Sequence, residues 1–215
     1  MIPKNSAPRI NHIRKDDEGY PIVLRKYLGN RTPAAIAALG NPDILRQKTL
    51  ALFCSVKCPG NLILKTYDLA RQLRDDGVTV ISGFHSPMEK ECLTILLRGK
   101  QPIIICPARS LEKMRISKEW RQPLDEGRLL ILSPFSKKYR RATVKLAKKR
   151  NEVVSAMADR IFIAYAAPGS KTEDLCRKAL SWDKTVSTFD TPKNANLVSL
   201  GAKTLQVGIQ APALL

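Results

Sequence analysis

Acidic side chains are scarce in this chain, histidines scarcer, and long apolar runs are missing. The 215 residues carry 19 Asp and Glu against 37 Lys and Arg, a formal charge of +18. A chain so short of carboxylates suits a polyanionic partner, because each phosphate neutralised by a protein cation releases condensed counterions. Plain solubility and an anionic membrane surface are the other readings of the same charge. No apolar run reaches the roughly 18 residues of a membrane helix. Met1 to Tyr20 has no apolar stretch of the signal-peptide kind. The expectation is a cytoplasmic protein without a membrane span.

Only two histidines are present, His12 and His85, and the five cysteines include Cys54 and Cys58 with no second Cys or His pair nearby. That leaves a structural zinc site without ligands. An odd cysteine count with no secretion signal speaks against a disulfide framework. Triad signatures, paired catalytic carboxylates, internal repeats and low-complexity tracts are all missing.

What is present is an alternation of short apolar runs and amphipathic stretches from about residue 50 onward. Leu50 to Cys54, Val78 to Ile81, Ile103 to Cys106, Leu129 to Leu132, Arg160 to Tyr165 and Thr185 to Phe189 read as strands. Between them, helices are expected from Asn61 to Asp76, from Ser86-Pro87 to near Gly99, over Leu111 to Trp120, over Asn151 to Ala158 and over Lys171 to Leu180. Such alternation predicts an α/β fold, a Rossmann-like three-layer sandwich with a mostly parallel sheet of roughly six strands. Residues 1–45 read as an N-terminal extension, with cations at Lys4, Arg9, Arg14 and Lys15. Short helical pieces are expected there over Tyr20 to Leu28 and Thr32 to Leu39, the second closed by Gly40. Residues 46–210 form the main domain.

In sheets of this kind ligands bind beyond the carboxyl ends of the strands. One strand-end segment, residues 133–150, holds Lys137, Lys138, Arg140, Arg141, Lys145, Lys148, Lys149 and Arg150 and no acid. Phe135 and Tyr139 lie within it. Cations offer a track for phosphates and aromatic faces offer platforms for unstacked bases. A solvated helix face with an aromatic packed inward fits the same residues. Arg150 is the candidate anchor, since a guanidinium forks two phosphate oxygens. Asn151 beside it is read as the cap of the helix it opens. The loop Ala166 to Thr172 carries Gly169, Ser170, Lys171 and Thr172, a small-residue cradle for a phosphate or, equally, a plain turn with a cap. It lacks Walker A spacing. Ser82 and Gly83 end another strand, and Lys57 follows the first. His85 has no evident catalytic partner.

Several of these segments carry a family likeness. Val78-Thr-Val-Ile-Ser82-Gly83-Phe84, Leu132-Ser133-Pro134-Phe135, Lys149-Arg150-Asn151 with Val153-Val154-Ser155, and Arg160 to Tyr165 with Gly169, Ser170 and Thr172 stand in order. Asn194 to Ala202 closes the series. Together, over about residues 50–205, they resemble the DNA-processing protein A (DprA/Smf) family, and more distantly the lysine-decarboxylase-like "LOG" enzymes. The chain departs from the family where Cys54-Ser55-Val56-Lys57 replaces Gly-Ser/Thr-Arg and Pro87-Met88-Glu89 replaces Gly-Ile-Asp. Pro107-Ala108-Arg109 stands where glycines are usual, and no winged-helix tail is expected after Leu205.

The resemblance implies a non-enzymatic single-stranded DNA binder without cofactor, acting in DNA processing, recombination or uptake. It also implies a homodimer and a recombinase or other protein partner. Two alternatives stay open. One is a nucleoside-monophosphate glycosidase of LOG type, for which Pro168-Gly169 and Thr172-Glu173 echo a motif and Arg150 stands at its Arg. The other is a regulatory or antitoxin-like partner in a defence system.

Overall fold

A computed structural model of the chain describes residues 9–205; Lys4 lies outside them. One nine-stranded sheet runs through the molecule. In chain order its strands are β1 (Asn11–Arg14), β2 (Ala35–Gly40), β3 (Thr49–Cys54), β4 (Thr79–Ser82) and β5 (Ile103–Ile105). They continue with β6 (Leu129–Ser133), β7 (Arg160–Tyr165), β8 (Thr185–Phe189) and β9 (Lys203–Leu205). Their spatial order is β1-β2-β6-β5-β4-β3-β7-β8-β9. From β6 to β9 every pairing is parallel, whereas β2 is antiparallel to both β1 and β6.

The strands read as continuous apolar runs because both faces are covered. In β3, Leu50, Leu52 and Cys54 enter one core and Ala51 and Phe53 the other. The first core packs under α2 (Gly60–Asp75), α3 (Pro87–Leu97) and α4 (Lys118–Asp125). The second packs under α1 (Val23–Leu28), α5 (Val144–Met157), α6 (Lys171–Leu180) and α7 (Ala195–Ser199). Crossovers of one hand place helices on one face while strands are added in one direction and on the other face once the direction reverses. The reversal comes at α5, which carries the chain from β6 at one side to β7 beside β3. The crevice between the carboxyl ends of β3 and β7 is therefore the switch point where open α/β sheets bind ligands. Among the described residues no helix is long and apolar enough to cross a membrane.

The architecture is the expected α/β sandwich with a mostly parallel sheet, but the sheet is wider. The segment read as an extension supplies β1 and β2, and β9 adds the far edge. Thr32 to Leu39 is not helical. Its Ala-Ile-Ala-Ala-Leu stretch favours a helix locally, yet Ile36 and Ala38 fill one core and Ala37 and Leu39 the other. Burial on both faces of a strand outweighs that preference. Gly40 ends β2 at φ +105°, and a Cβ there would stand 2.2 Å from the Leu129 carbonyl oxygen. The Leu111 to Trp120 helix is displaced to α4, which tolerates Pro123 inside it. Helix α2 starts at Gly60 after Pro59, ahead of Asn61. Helix α3 opens as expected, with Ser86 and Glu89 forming a reciprocal capping box.

At the amino end of the sheet, Lys184 is buried ahead of β8. Its Nζ donates to the carbonyls of Ala156 and Ala158 and lies 4.4 Å from the centre of the Tyr27 ring. Burial lowers its pKa from 10.5 to about 8. The unfolded chain therefore holds this proton more tightly than the folded one between pH 8 and about 10.4, and stability rises with pH across that window. We expect urea unfolding at pH 7.5, 9 and 10 to show the wild type gaining about 1–2 kcal/mol on Lys184→Met, solvent screening taking the remainder. A constant difference between the two proteins would show that Lys184 stays charged throughout.

Candidate nucleic-acid interface

The switch-point loops are tied to one another. After β3, the Ser55 amide donates to the Tyr165 carbonyl at 2.9 Å, and Ser55 Oγ accepts the Ala167 amide at 3.2 Å. Ser55 Oγ also lies 3.4 Å from Ser170 Oγ. Ser170 caps α6 by accepting the Glu173 amide, and Glu173 Oε2 accepts the Gly169 amide at 2.8 Å. Asn196 Nδ2 donates to the other Glu173 oxygen at 2.6 Å. These bonds, first that from Asn196 and then that from Gly169, lower the Glu173 pKa and keep it ionised. The Gly169 amide is thus spent on a carboxylate of its own chain, so the expected backbone cradle for phosphate is already filled. Glu173, the residue a glycosidase would use, has both oxygens engaged in holding the turn. Lys171 is exposed and Thr172 half-buried in the first turn of α6.

Arg150 is not a surface anchor. Helix α5 opens at Thr143, whose Oγ1 accepts the Leu146 amide, so Arg150 and Asn151 lie well inside it and Asn151 caps nothing. That phase turns Arg150 inward, 3% exposed. Its Nη1 donates to the Cys106 carbonyl at 2.7 Å and its Nε to Asn151 Oδ1 at 2.6 Å. Glu89, buried beneath the β4 loop, faces it electrostatically. Glu89 accepts the amides of His85 at 2.8 Å and Cys54 at 3.1 Å. The guanidinium occupies the space a Cβ on Gly83 would take, 1.4 Å from Nη1. Ser82 is likewise internal, donating to the Leu52 carbonyl and accepting the Phe84 amide. The Ser-Gly strand end and the Arg-Asn pair are therefore two halves of one buried strut beneath the loops.

The remaining cations stay outside. Lys137, Lys138, Arg140, Arg141, Lys145, Lys148 and Lys149 are exposed, as is Lys57 across the crevice. Lys138, Arg140, Arg141, Lys145 and Lys149 line a groove of about 550 Å³ around Tyr139. Tyr139 is 39% exposed, its ring edge-on to Phe135 at 6.0 Å between centres. Phe135 itself is buried with Ala108 and Leu146, so it supports Tyr139 and offers no platform of its own. The loop is pinned by the Ser110 amide donating to the Tyr139 carbonyl at 2.8 Å.

On the other side of the α5 amino end, Thr143 also borders a cleft of about 640 Å³. Lys148 and Asn151 of α5 and Lys171 of α6 line it together, with His85 and Val56 from the opposite loops. Lys171, from the Gly169 loop, and the basic helix are thereby brought to one hollow. Sequence reading missed the apolar rim of this cleft, Val56 and Val144, 69% and 63% exposed. It also missed Arg31 and Lys178, which hold buried Glu152 at 2.5 and 2.8 Å in the same wall. Nothing in the sequence links residues 121 positions apart.

Solved structures share this fold. The DNA processing protein A of Streptococcus pneumoniae superimposes with a TM-score of 0.78 at 17% identity, over 95% of this chain and 74% of that one. The DNA processing protein A of Helicobacter pylori, described for its single-stranded DNA binding mode, gives 0.76 at 18% identity over 96% and 95%. The molybdenum cofactor carrier protein of Chlamydomonas reinhardtii gives 0.53 at 15% identity over 79% and 96%. No curated protein sequence matches the chain. Residues 11–211, β1 and β2 included, match the family described as DNA recombination-mediator protein A, and the chain belongs to that family.

Proposed function

We propose that this protein binds single-stranded DNA without catalysing a reaction, and does so along the carboxyl rim of its sheet. One observation carries the reading. Seven exposed cations between Lys137 and Lys149, unaccompanied by any acid, flank a half-exposed Tyr139 and adjoin the switch-point cleft. Lys171 lines that cleft from α6, and Val56, the neighbour of exposed Lys57, lines it from the β3 loop. Cations along a groove hold phosphates, and Tyr139 with the apolar rim at Val56 and Val144 offers contact to bases that only a single strand exposes. Assembly as a homodimer and loading of a recombinase are the family's implications and form part of the same proposal.

The test is a salt titration of binding to single- and double-stranded oligonucleotides of one length. With about five phosphates engaged, single-strand affinity falls about 100-fold between 50 and 200 mM salt. Tyr139→Ala weakens single-strand binding by about 5–30-fold and leaves duplex binding nearly unchanged. Salt-independent binding, or equal losses on both substrates, would refute the interface as drawn.

A further inference from the structure

A third hollow, of about 640 Å³, lies between the Tyr139 groove and the switch-point cleft. It shares Lys138, Tyr139, Lys145 and Lys149 with the groove and Arg31, Lys148 and Glu152 with the cleft. The three hollows therefore follow one another around the amino half of α5. Asn30 to Ala34, in the turn between α1 and β2, form the other wall of the middle one. The interface as drawn so far makes no use of that turn.

The turn is fixed before any ligand arrives. Gly29–Arg31 make a single 3-10 turn, closed by the Thr32 amide donating to the Gly29 carbonyl at 3.1 Å. The Tyr20 hydroxyl donates to the Pro33 carbonyl at 2.6 Å. Arg31 ends the turn with its side chain 55% exposed, and its Nη1 donates to Glu152 Oε2 at 2.5 Å. Its Nε and Nη2 have no partner among the described residues. These two nitrogens form the side edge of the guanidinium, a fork that matches two oxygens of one phosphate. Among the described residues Glu152 is the only carboxylate lining this hollow, and Lys178 holds it as well, at 2.8 Å. Two cations on one carboxylate leave the cluster net positive. A phosphate at this point therefore meets Arg31 and Lys148 and no bare acid.

We propose, on the footing that this rim binds single-stranded DNA, that the strand crosses α5 through the middle hollow, from the Tyr139 groove to the switch-point cleft, and that Arg31 holds a phosphate at the crossing. Lys145, Lys148 and Lys149 border the crossing on the α5 side and Arg31 on the side of the turn. A phosphodiester backbone lying between them is neutralised from both sides. The amino-terminal segment that completes the sheet with β1 and β2 thus also supplies a wall of the binding path. Glu152 is a positioning residue here: it holds one nitrogen of Arg31 and so fixes where the free fork stands.

The test titrates the whole chain with a labelled oligothymidylate over a range of salt. Arg31→Ala is expected to bind about 5–10-fold more weakly at moderate salt and to lose about 0.7 of the log–log salt slope. Arg31→Lys should recover the slope and only part of the affinity, because an ammonium keeps the charge and lacks the fork. Lys178 keeps Glu152 paired in Arg31→Ala, so the variant should fold. Glu152→Gln separates a direct contact from mere neutralisation of the acid. In that background Arg31→Ala should cost the same share of the slope; if the cost vanishes there, Arg31 touches no phosphate. Amide exchange over 29–34 should slow several-fold in the wild type when the oligonucleotide is bound. Unchanged exchange there, with exchange slowed around Tyr139, would overturn the path. A wild-type slope in Arg31→Ala, with single-strand binding intact, would overturn the contact alone. Wild-type protein without salt-dependent single-strand binding would overturn the single-strand reading itself, and the path with it.

Discussion

Gly83→Ala should cost the fold about 3–5 kcal/mol, far more than a typical Gly-to-Ala change outside a helix, because the new methyl claims the space held by a buried charge. The ideal Cβ falls 1.4 Å from Arg150 Nη1 and 1.8 Å from Cζ. The end of an Arg side chain is usually free to swing away. Here it is enclosed, bonded to the Cys106 carbonyl and to Asn151, and set opposite Glu89. Displacing it strands a desolvated cation and removes a donor from Cys106 at once.

A double-mutant cycle with Arg150→Met separates this cause from general crowding. Arg150→Met alone is destabilising, since it leaves Glu89 without its facing charge. Adding Gly83→Ala to it costs little, giving a coupling of about 2 kcal/mol or more in urea melts. Additive costs would mean that the methyl clashes with something other than the guanidinium. At temperatures where Arg150→Met is folded, its DNA binding should keep the wild-type salt slope, because a buried strut neutralises no phosphate. A reduced slope would return Arg150 to the surface role that its place in the sequence suggested.

Reversing three charges at once, Lys145→Glu with Lys148→Glu and Lys149→Glu, should lower single-strand affinity more than 100-fold near 100 mM salt. The salt dependence should shrink by about two units of log–log slope, as expected for three lost phosphate contacts at about 0.7 each. All three side chains are exposed on the first turns of α5. Carboxylates there favour the helix dipole, while Lys148→Glu also faces Glu152 one turn on, which Arg31 and Lys178 neutralise, so the thermal midpoint should fall by no more than a few degrees. The control is the same six-unit charge change at the opposite rim. Lys48, Lys100 and Lys203, all exposed, lie at the amino ends of β3, β5 and β9. Their reversal should weaken binding only a few-fold, through long-range attraction screened beyond about 10 Å. Equal losses from the two triple variants would show that net charge alone, without a groove, explains the affinity.

Much of the fold was legible from local chemistry. The buried parallel strands announce themselves as runs such as Leu129 to Leu132, and Ser86-Pro87 with Glu89 announces a capped helix. Ala35 to Leu39 escaped because its composition suits a helix and only the neighbouring β6 makes it a strand. The start of α5 escaped for a related reason. Thr143 caps it from within a stretch dominated by Lys and Arg, and beginning the helix at Asn151 instead left Arg150 on the wrong face. Helical phase is unforgiving in this respect, because a shift of a few positions exchanges the solvent side for the core.

Composition and pattern alone determined that the chain is an α/β domain, that it carries a net charge of +18, and that its cations crowd one strand end, since charge and hydrophobic period are summed along the chain. Tertiary packing decided which of those cations reach solvent. It turned Arg150 inward under Gly83, closed the Gly169 turn on Glu173, and brought Lys148 and Lys171 to one cleft. Each of these outcomes depends on distances between segments far apart in the chain, and such distances exist only once the sheet has fixed its order.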